Sequence, residues 1–258
     1  MIHFLSFADS KMLPSLRRIR REAEEVGWFD TVTVVDEHFF DRDYFHLVKP
    51  TLHMRGFGYW RWKSYVVKRK LYEMNKDDIL LYLDAGSSLN VYGTKRFNEY
   101  LNLISDNDSG MLFFEQTGIK ERAWTKMDLL AYAKYESNDD QLWAGGFMLR
   151  KTPSTIQFLN EWYDICNNHF ELITDSPSKL PNDVTFVEHR HDQSAFSVIG
   201  RKFAAVVLPI CETFTTDDYN IALRDYPFWA TRKREFTWWG MKKMGLKKRF
   251  PKLFGNLY

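Results

Sequence analysis

Two short segments hold the residues best suited to chemistry. In DILLYLDAGSS, Asp78 to Ser88, the apolar run Ile79 to Leu83 delivers one carboxylate, Asp84, onto the small residues Ala85 and Gly86. Such a run reads as a central strand buried on both faces, and ligands of open α/β sheets collect just beyond the carboxyl ends of such strands. Asp84 can therefore bind a metal or a ribose, with Ala85 and Gly86 leaving room for a phosphate or sugar to approach the backbone. The alternative is an Asp that only caps its own turn. In EHRHDQSAFS, Glu188 to Ser197, two histidines and an arginine flank Asp192. That density of titratable groups suits catalysis; a helix with Asp192 as N-cap and histidines on the surface is the other reading.

Three further clusters are candidates. Arg55, Arg61 and Lys63 surround Phe57, Tyr59, Trp60 and Trp62, a mix suited to diphosphate recognition beside a stacking surface, or to a helix face whose long cations cover the core. Arg122, Trp124, Lys126 and Asp128 follow a strand as a second polar cluster, with a plain amphipathic helix start as the other reading. Gly145 and Gly146 either admit a sugar beside the Trp143 strand or serve close packing.

Positioning these groups requires an alternating framework. The patterns predict strands at Ile2 to Ala8, Phe29 to Val35, Ile79 to Leu83, Met111 to Phe114, Trp143 to Leu149 and Ala204 to Leu208. Helices are predicted from Pro14 to Val26, Tyr59 to Asn75, Thr94 to Ile104, Thr125 to Lys134, from Pro153 onward, and over Gln193 to Ile199, with a loop from Thr174 to Asp183. The fold class is α/β, a three-layer sandwich with a mostly parallel sheet. No G-x-G-x-x-G follows the first strand, so the usual dinucleotide fingerprint is absent.

With 258 residues, 45% of them hydrophobic, the chain can bury a full core. The 17% aromatic content suits sugar faces and membrane interfaces alike. Cys166 and Cys211 lack paired spacing, which argues against a disulfide framework or a cysteine zinc site. No apolar run approaches the roughly 18 residues that span a bilayer, and MIHFLSFADSKM lacks the features of a signal peptide, so a cytoplasmic protein is expected. The net charge of +2 hides an asymmetry: from Trp229 to Tyr258 nine Lys or Arg stand against the single acid Glu235. The expected organisation is one domain over 1–228 and a basic aromatic tail over 229–258 that lies on the cytoplasmic face of an anionic membrane.

In order along the chain, GYWRWKSY (Gly58 to Tyr65), YLDAGSS (Tyr82 to Ser88), RAWTKMD (Arg122 to Asp128), LWAGGFMLRK (Leu142 to Lys151) and EHRHDQSAFS resemble glycosyltransferases of the GT-A fold. The likeness is to a bacterial and viral polysaccharide-biosynthesis group related to the family of glycogenin and lipopolysaccharide galactosyltransferases. It implies a Rossmann-like mixed sheet and transfer of a sugar from a nucleotide-diphosphate donor, most simply a UDP-sugar, to a hydroxyl of a glycan, glycoconjugate or lipid-linked glycan. It also implies a divalent metal, Mn²⁺ or Mg²⁺, at an Asp-x-Asp motif that here is Asp84-Ala85-Gly86. Asp84 is then expected to bind the metal with phosphate oxygens, water and His191 completing the shell. The resemblance places Asp192 and Gln193 against the transferred sugar and Asp9 against the uridine, where capping of the following helix is the alternative. Lys63, and after it Arg61, is expected at the phosphates with help from Lys126, and Asp128 is expected to touch the donor sugar or, if the enzyme inverts, to serve as acceptor base. The rival functions are a phospho-group transferase acting on polysaccharide and a non-catalytic glycan-binding protein. No nucleic-acid partner is expected.

Overall fold

The computed structural model describes residues 1–237 and residue 241. Its main sheet contains β1 (Ile2–Phe7), β2 (Thr31–Val35), β3 (Ile79–Leu83), β5 (Met111–Lys120), β6 (Asp140–Leu142), β7 (Gly146–Arg150) and β8 (Val206–Pro209); β4 (Ser88–Leu89) and β9 (Phe228–Trp229) form a small antiparallel pair beside it. The order is β2-β1-β3-β7-β5-β6, with β8 also on β5. β1 pairs in parallel with β2 and β3, and β5 with β8. β7 runs antiparallel between β3 and β5, and β6 antiparallel to β5. Five strands therefore share one direction, as a mostly parallel mixed sheet requires.

The central strand dictates the layers. Every residue of Ile79–Leu83 is buried, so both sheet faces need a cover. Leu80 and Tyr82 enter one core with Val66, Val67 and Leu71 of the Trp62–Glu73 helix and with Phe158 and Trp162 of the Pro153–Asn168 helix. Leu81 and Leu83 enter the other with Leu16 and Ile19 of the Leu13–Val26 helix and Phe97, Tyr100 and Ile104 of the Thr94–Asp106 helix. The result is the expected three-layer α/β sandwich. Among the described residues no helix is long and apolar enough to cross a membrane.

Two boundaries differ from the sequence expectation for physical reasons. The helix predicted from Tyr59 begins at Trp62, because residues 56–60 form a left-handed turn with φ of 59°, 57°, 90°, 54° and 58°. Phe57, Tyr59 and Trp60 are strained there, at about 1–2 kcal/mol each. The turn persists because Trp60 N–H and Trp62 Nε1 both donate to the Gly56 carbonyl, at 3.2 and 3.1 Å. A side chain on Gly56 would meet the Trp60 ring at 2.3 Å. The strand predicted from Trp143 begins instead at Gly146, because Trp143 folds back over the two glycines: a Cβ on Gly145 or Gly146 would fall 2.4 or 2.5 Å from its indole.

The chain then returns across the sheet's carboxyl end. Trp229 pairs with Ser88, and residues 231–237 continue as a strap: Thr231 Oγ1 and Lys233 N–H donate to the Gly86 carbonyl at 3.0 and 2.8 Å, and Glu235 N–H to Ser15 Oγ at 2.7 Å. The remainder of the basic aromatic tail lies outside the described residues, apart from Met241.

Candidate active site

Asp84 leaves the carboxyl end of β3, where its backbone N–H donates to the Gly145 carbonyl at 2.8 Å. Tyr82, two residues back on the same strand, donates its hydroxyl to Asp84 Oδ1 at 2.8 Å. The Lys63 ammonium, from the first turn of the Trp62–Glu73 helix, lies 3.0 Å from the same oxygen. Lys63 also reaches the Ala144 carbonyl at 3.0 Å and Asp192 Oδ2 at 3.4 Å. Its three N–H donors thus face three oxygens. Both carboxylate contacts are ion pairs without an aligned hydrogen bond, and among the described residues Asp192 Oδ2 has no hydrogen-bond partner.

Burial separates the two carboxylates. The Asp84 side chain is 41% exposed, that of Asp192 only 6%. Desolvation pushes the Asp192 carboxyl up to about 7 against the pull of the Lys63 charge, with Asp84 adding to the rise. Desolvation also works against the Lys63 charge, yet Asp84 and Asp192 outweigh it and hold the ammonium above the ordinary lysine value. Tyr82 stays a protonated donor, because burial and then the Asp84 charge raise its phenol well above the ordinary value.

Asp192 does not cap its helix. The His191–Gly200 helix has Arg190 at the N-cap with no side-chain cap bond, and His191 enters it with φ 55°. Asp192 sits in the first turn, where the helix dipole favours an anion, and its carbonyl accepts from Trp162 Nε1 at 3.2 Å. Gln193, the next residue, donates from Nε2 to Gln141 Oε1 at 2.9 Å.

The other candidates are distributed around this centre. Ala85, Gly86 and Ser87 turn their carbonyls to Arg18 and the strap: Arg18 donates to Ala85 O at 2.7 Å and Ser87 O at 2.9 Å. The hydrogen side of Gly86 faces Arg232 and Lys233. Gly145 and Gly146 serve the close approach of Trp143, which sets the Ala144 and Gly145 carbonyls against Lys63 and Asp84. Arg61 is buried against Asn167, donating to its Oδ1 at 3.1 Å and its carbonyl at 2.9 Å, and lies over the Phe170 ring. Lys126 binds the Glu171 and Thr174 carbonyls, and Asp128 accepts from the Lys179 and Leu180 N–H groups, so both tie down the 174–183 loop. Asp9 accepts from Lys11 N–H as the cap of the short Ser10–Met12 turn.

The donor set does not make a resident metal centre. Among the described residues no group of three His, Cys, Asp or Glu could hold an ion. His191 packs its ring on Tyr59 and Trp60, bonds the Ile173 carbonyl through Nδ1 at 2.9 Å, and has Nε2 3.6 Å from Asp175. At the Asp84 turn one Asp84 oxygen already takes Lys63 and Tyr82, which leaves a single carboxylate oxygen for a cation. Sequence reading missed Tyr82, Arg18, Ala144 and Gln141 here; only Tyr82 carried a signal, its two-residue spacing from Asp84.

No protein-family model matches the chain, and no curated protein matches it in sequence. Solved structures do match over most of its length. A glycosyltransferase involved in the glycosylation of the major capsid of PBCV-1 is 13% identical with TM-score 0.49, covering 88% of this chain and 92% of that one. The galactosyltransferase LgtC, in complex with donor and acceptor sugar analogs, is 12% identical with TM-score 0.45, covering 99% and 96%. Mouse xyloside xylosyltransferase 1 is 12% identical with TM-score 0.44, covering 92% and 96%. All three are glycosyltransferases.

Proposed function

We propose that this chain is a glycosyltransferase that moves a sugar from a nucleotide-diphosphate donor, a UDP-sugar, to a hydroxyl of a glycan or glycoconjugate in polysaccharide biosynthesis. The observation that carries the reading is the buried Lys63 ammonium between Asp84 and Asp192 at the carboxyl end of the central strand. Transfer breaks the bond between the anomeric carbon and a diphosphate oxygen, so positive charge develops on the sugar. A carboxylate held in a dry site stabilises that charge far more than one in water. Asp192 is such a group, and the Lys63 charge favours its ionised form against the desolvation that raises its carboxyl to about 7. Asp84, half-exposed, has an oxygen free to accept from donor hydroxyls. A Mn²⁺ or Mg²⁺ ion brought in with the donor would neutralise charge developing on the diphosphate, with Asp84 the residue that would face it.

The test is direct. Purified protein incubated with a panel of UDP-sugars, with Mn²⁺ present, should release UDP, and Asp192→Asn should release it about 10²-fold more slowly. No release and no binding across the panel would remove the reading in favour of a non-catalytic glycan-binding protein. The basic aromatic tail over 229–258 is proposed to lie on an anionic bilayer through its part beyond residue 237, which apart from Met241 is outside the described residues. Deleting that part should abolish sedimentation with phosphatidylserine vesicles while UDP release persists; unchanged sedimentation would refute that role.

A further inference from the structure

Behind Gln193 runs a buried polar row whose direction is chemically fixed. Glu121, at the end of β5, is fully buried, and its carboxylate accepts from Thr125 Oγ1 at 2.8 Å and from Ser197 Oγ. Gln141 of β6, also fully buried, points its amide nitrogen into four acceptors: Thr125 Oγ1 at 2.9 Å, Glu121 Oε2 at 3.2 Å, Ser194 Oγ at 3.3 Å and the Trp124 carbonyl at 3.3 Å. A backbone carbonyl can only accept, and the Thr125 and Ser194 hydroxyls already donate their hydrogens to Glu121 and to the Trp124 carbonyl. Turning the Gln141 amide over would therefore set its oxygen against the Trp124 carbonyl and two hydroxyl lone pairs, so Gln141 Oε1 must face Gln193. Gln193 Nε2 donates to that oxygen at 2.9 Å. The two ends of an amide are nearly the same size, and without this row nothing in its shape would select one orientation.

We infer that Gln141 and Glu121 are positioning residues that fix the amide of Gln193 with its oxygen, rather than its nitrogen, toward the transferred sugar. The inference rests on the reading of Asp192 and Gln193 as the sugar-facing pair. An amide oxygen carries partial negative charge, and beside Asp192 it supplements the stabilisation of an anomeric carbon turning positive. The opposite orientation would present two N–H donors to a developing cation and work against the reaction. Gln141 and Glu121 touch no substrate; their whole effect passes through Gln193.

A double-variant cycle with UDP release as readout isolates that path. Gln141→Leu keeps the volume and removes the acceptor for Gln193. Gln141→Asn keeps an amide that is too short to reach both neighbours, and serves if the leucine variant does not fold. Either substitution should lower kcat by about tenfold or more, with donor KM within about twofold, as for an interaction made in the transition state. In a Gln193→Ala background the same substitution should cost nothing further. An undiminished kcat in folded Gln141→Asn, or losses that multiply in the double variant, would overturn the inference while leaving the glycosyltransferase reading intact. An inactive wild type would instead refute the reading on which it rests.

Discussion

Lys63 Nζ lies 3.0 Å from Asp84 Oδ1, so a residue from the helical layer reaches under the sheet's carboxyl end to meet the acid that the central strand delivers. Asp192 approaches the same ammonium from a third element, the His191–Gly200 helix, at 3.4 Å. One cation therefore joins three parts of the chain.

Removing that cation should damage fold and function together. Lys63→Met leaves Asp192 buried without its counter-charge, and loss of one partner from a buried pair costs about 3–5 kcal/mol. Chemical denaturation should show this loss, and UDP release should fall below detection. A stable, active Lys63→Met protein would show that the ammonium is incidental.

Asp84→Asn should separate the two effects. The amide oxygen can still accept from the Tyr82 hydroxyl, so the melting temperature should move little. Turnover should fall by about 10²-fold, because the charge that faces the donor is gone. Near-wild-type turnover would demote Asp84 to a structural turn residue.

Glu121 predicts a specific pH dependence of stability. Burial raises its carboxyl from 4.5 to about 7, against hydrogen bonds from Ser197, Thr125 and Gln141 and the Arg201 charge. The folded state therefore binds a proton that the unfolded chain has released, and the associated stability is full below pH 4.5 and lost as pH rises to about 7. The loss is on the order of 3 kcal/mol at 1.36 kcal/mol per pKa unit. Denaturation of wild type and Glu121→Gln at about pH 5 and about pH 8 should show a smaller drop in the variant. Equal drops would mean that other groups carry the dependence.

Arg18 tests the strap. It donates to the Ala85 and Ser87 carbonyls and lies 3.4 Å from that of Lys233, so Arg18→Leu leaves buried acceptors unpaired at about 1–3 kcal/mol each. The variant should melt lower and bind UDP-sugars more weakly; unchanged donor affinity would separate the strap from the site.

What was legible in the sequence was what local pattern encodes. The unbroken apolar run before Asp84 located the central strand, and the Pro14 and Pro153 punctuation marked helix starts that the structure keeps. Asp84, Lys63 and Asp192 stand in three separate sequence segments, and the fold brings them together. Left-handed residues 56–60 were not legible, because Phe, Tyr and Trp disfavour that conformation and adopt it only under tertiary bonds. Pairings over long sequence separations were equally hidden, including Gln141 with Gln193 and Gly86 with Lys233. Arg61, Lys126 and Asp128 carry the right chemistry, but the structure engages them with loop and helix-end groups. Composition cannot distinguish a cation aimed at a phosphate from one aimed at a carbonyl.

The most direct test of the account is the turnover of Asp192→Asn with a UDP-sugar that the wild type consumes, measured alongside donor affinity. The side chain is nearly isosteric and loses only its charge beside Lys63, so kcat should fall by about 10²-fold or more while donor Kd changes little. A kcat equal to that of the wild type would contradict the assignment of Asp192 to the reacting sugar.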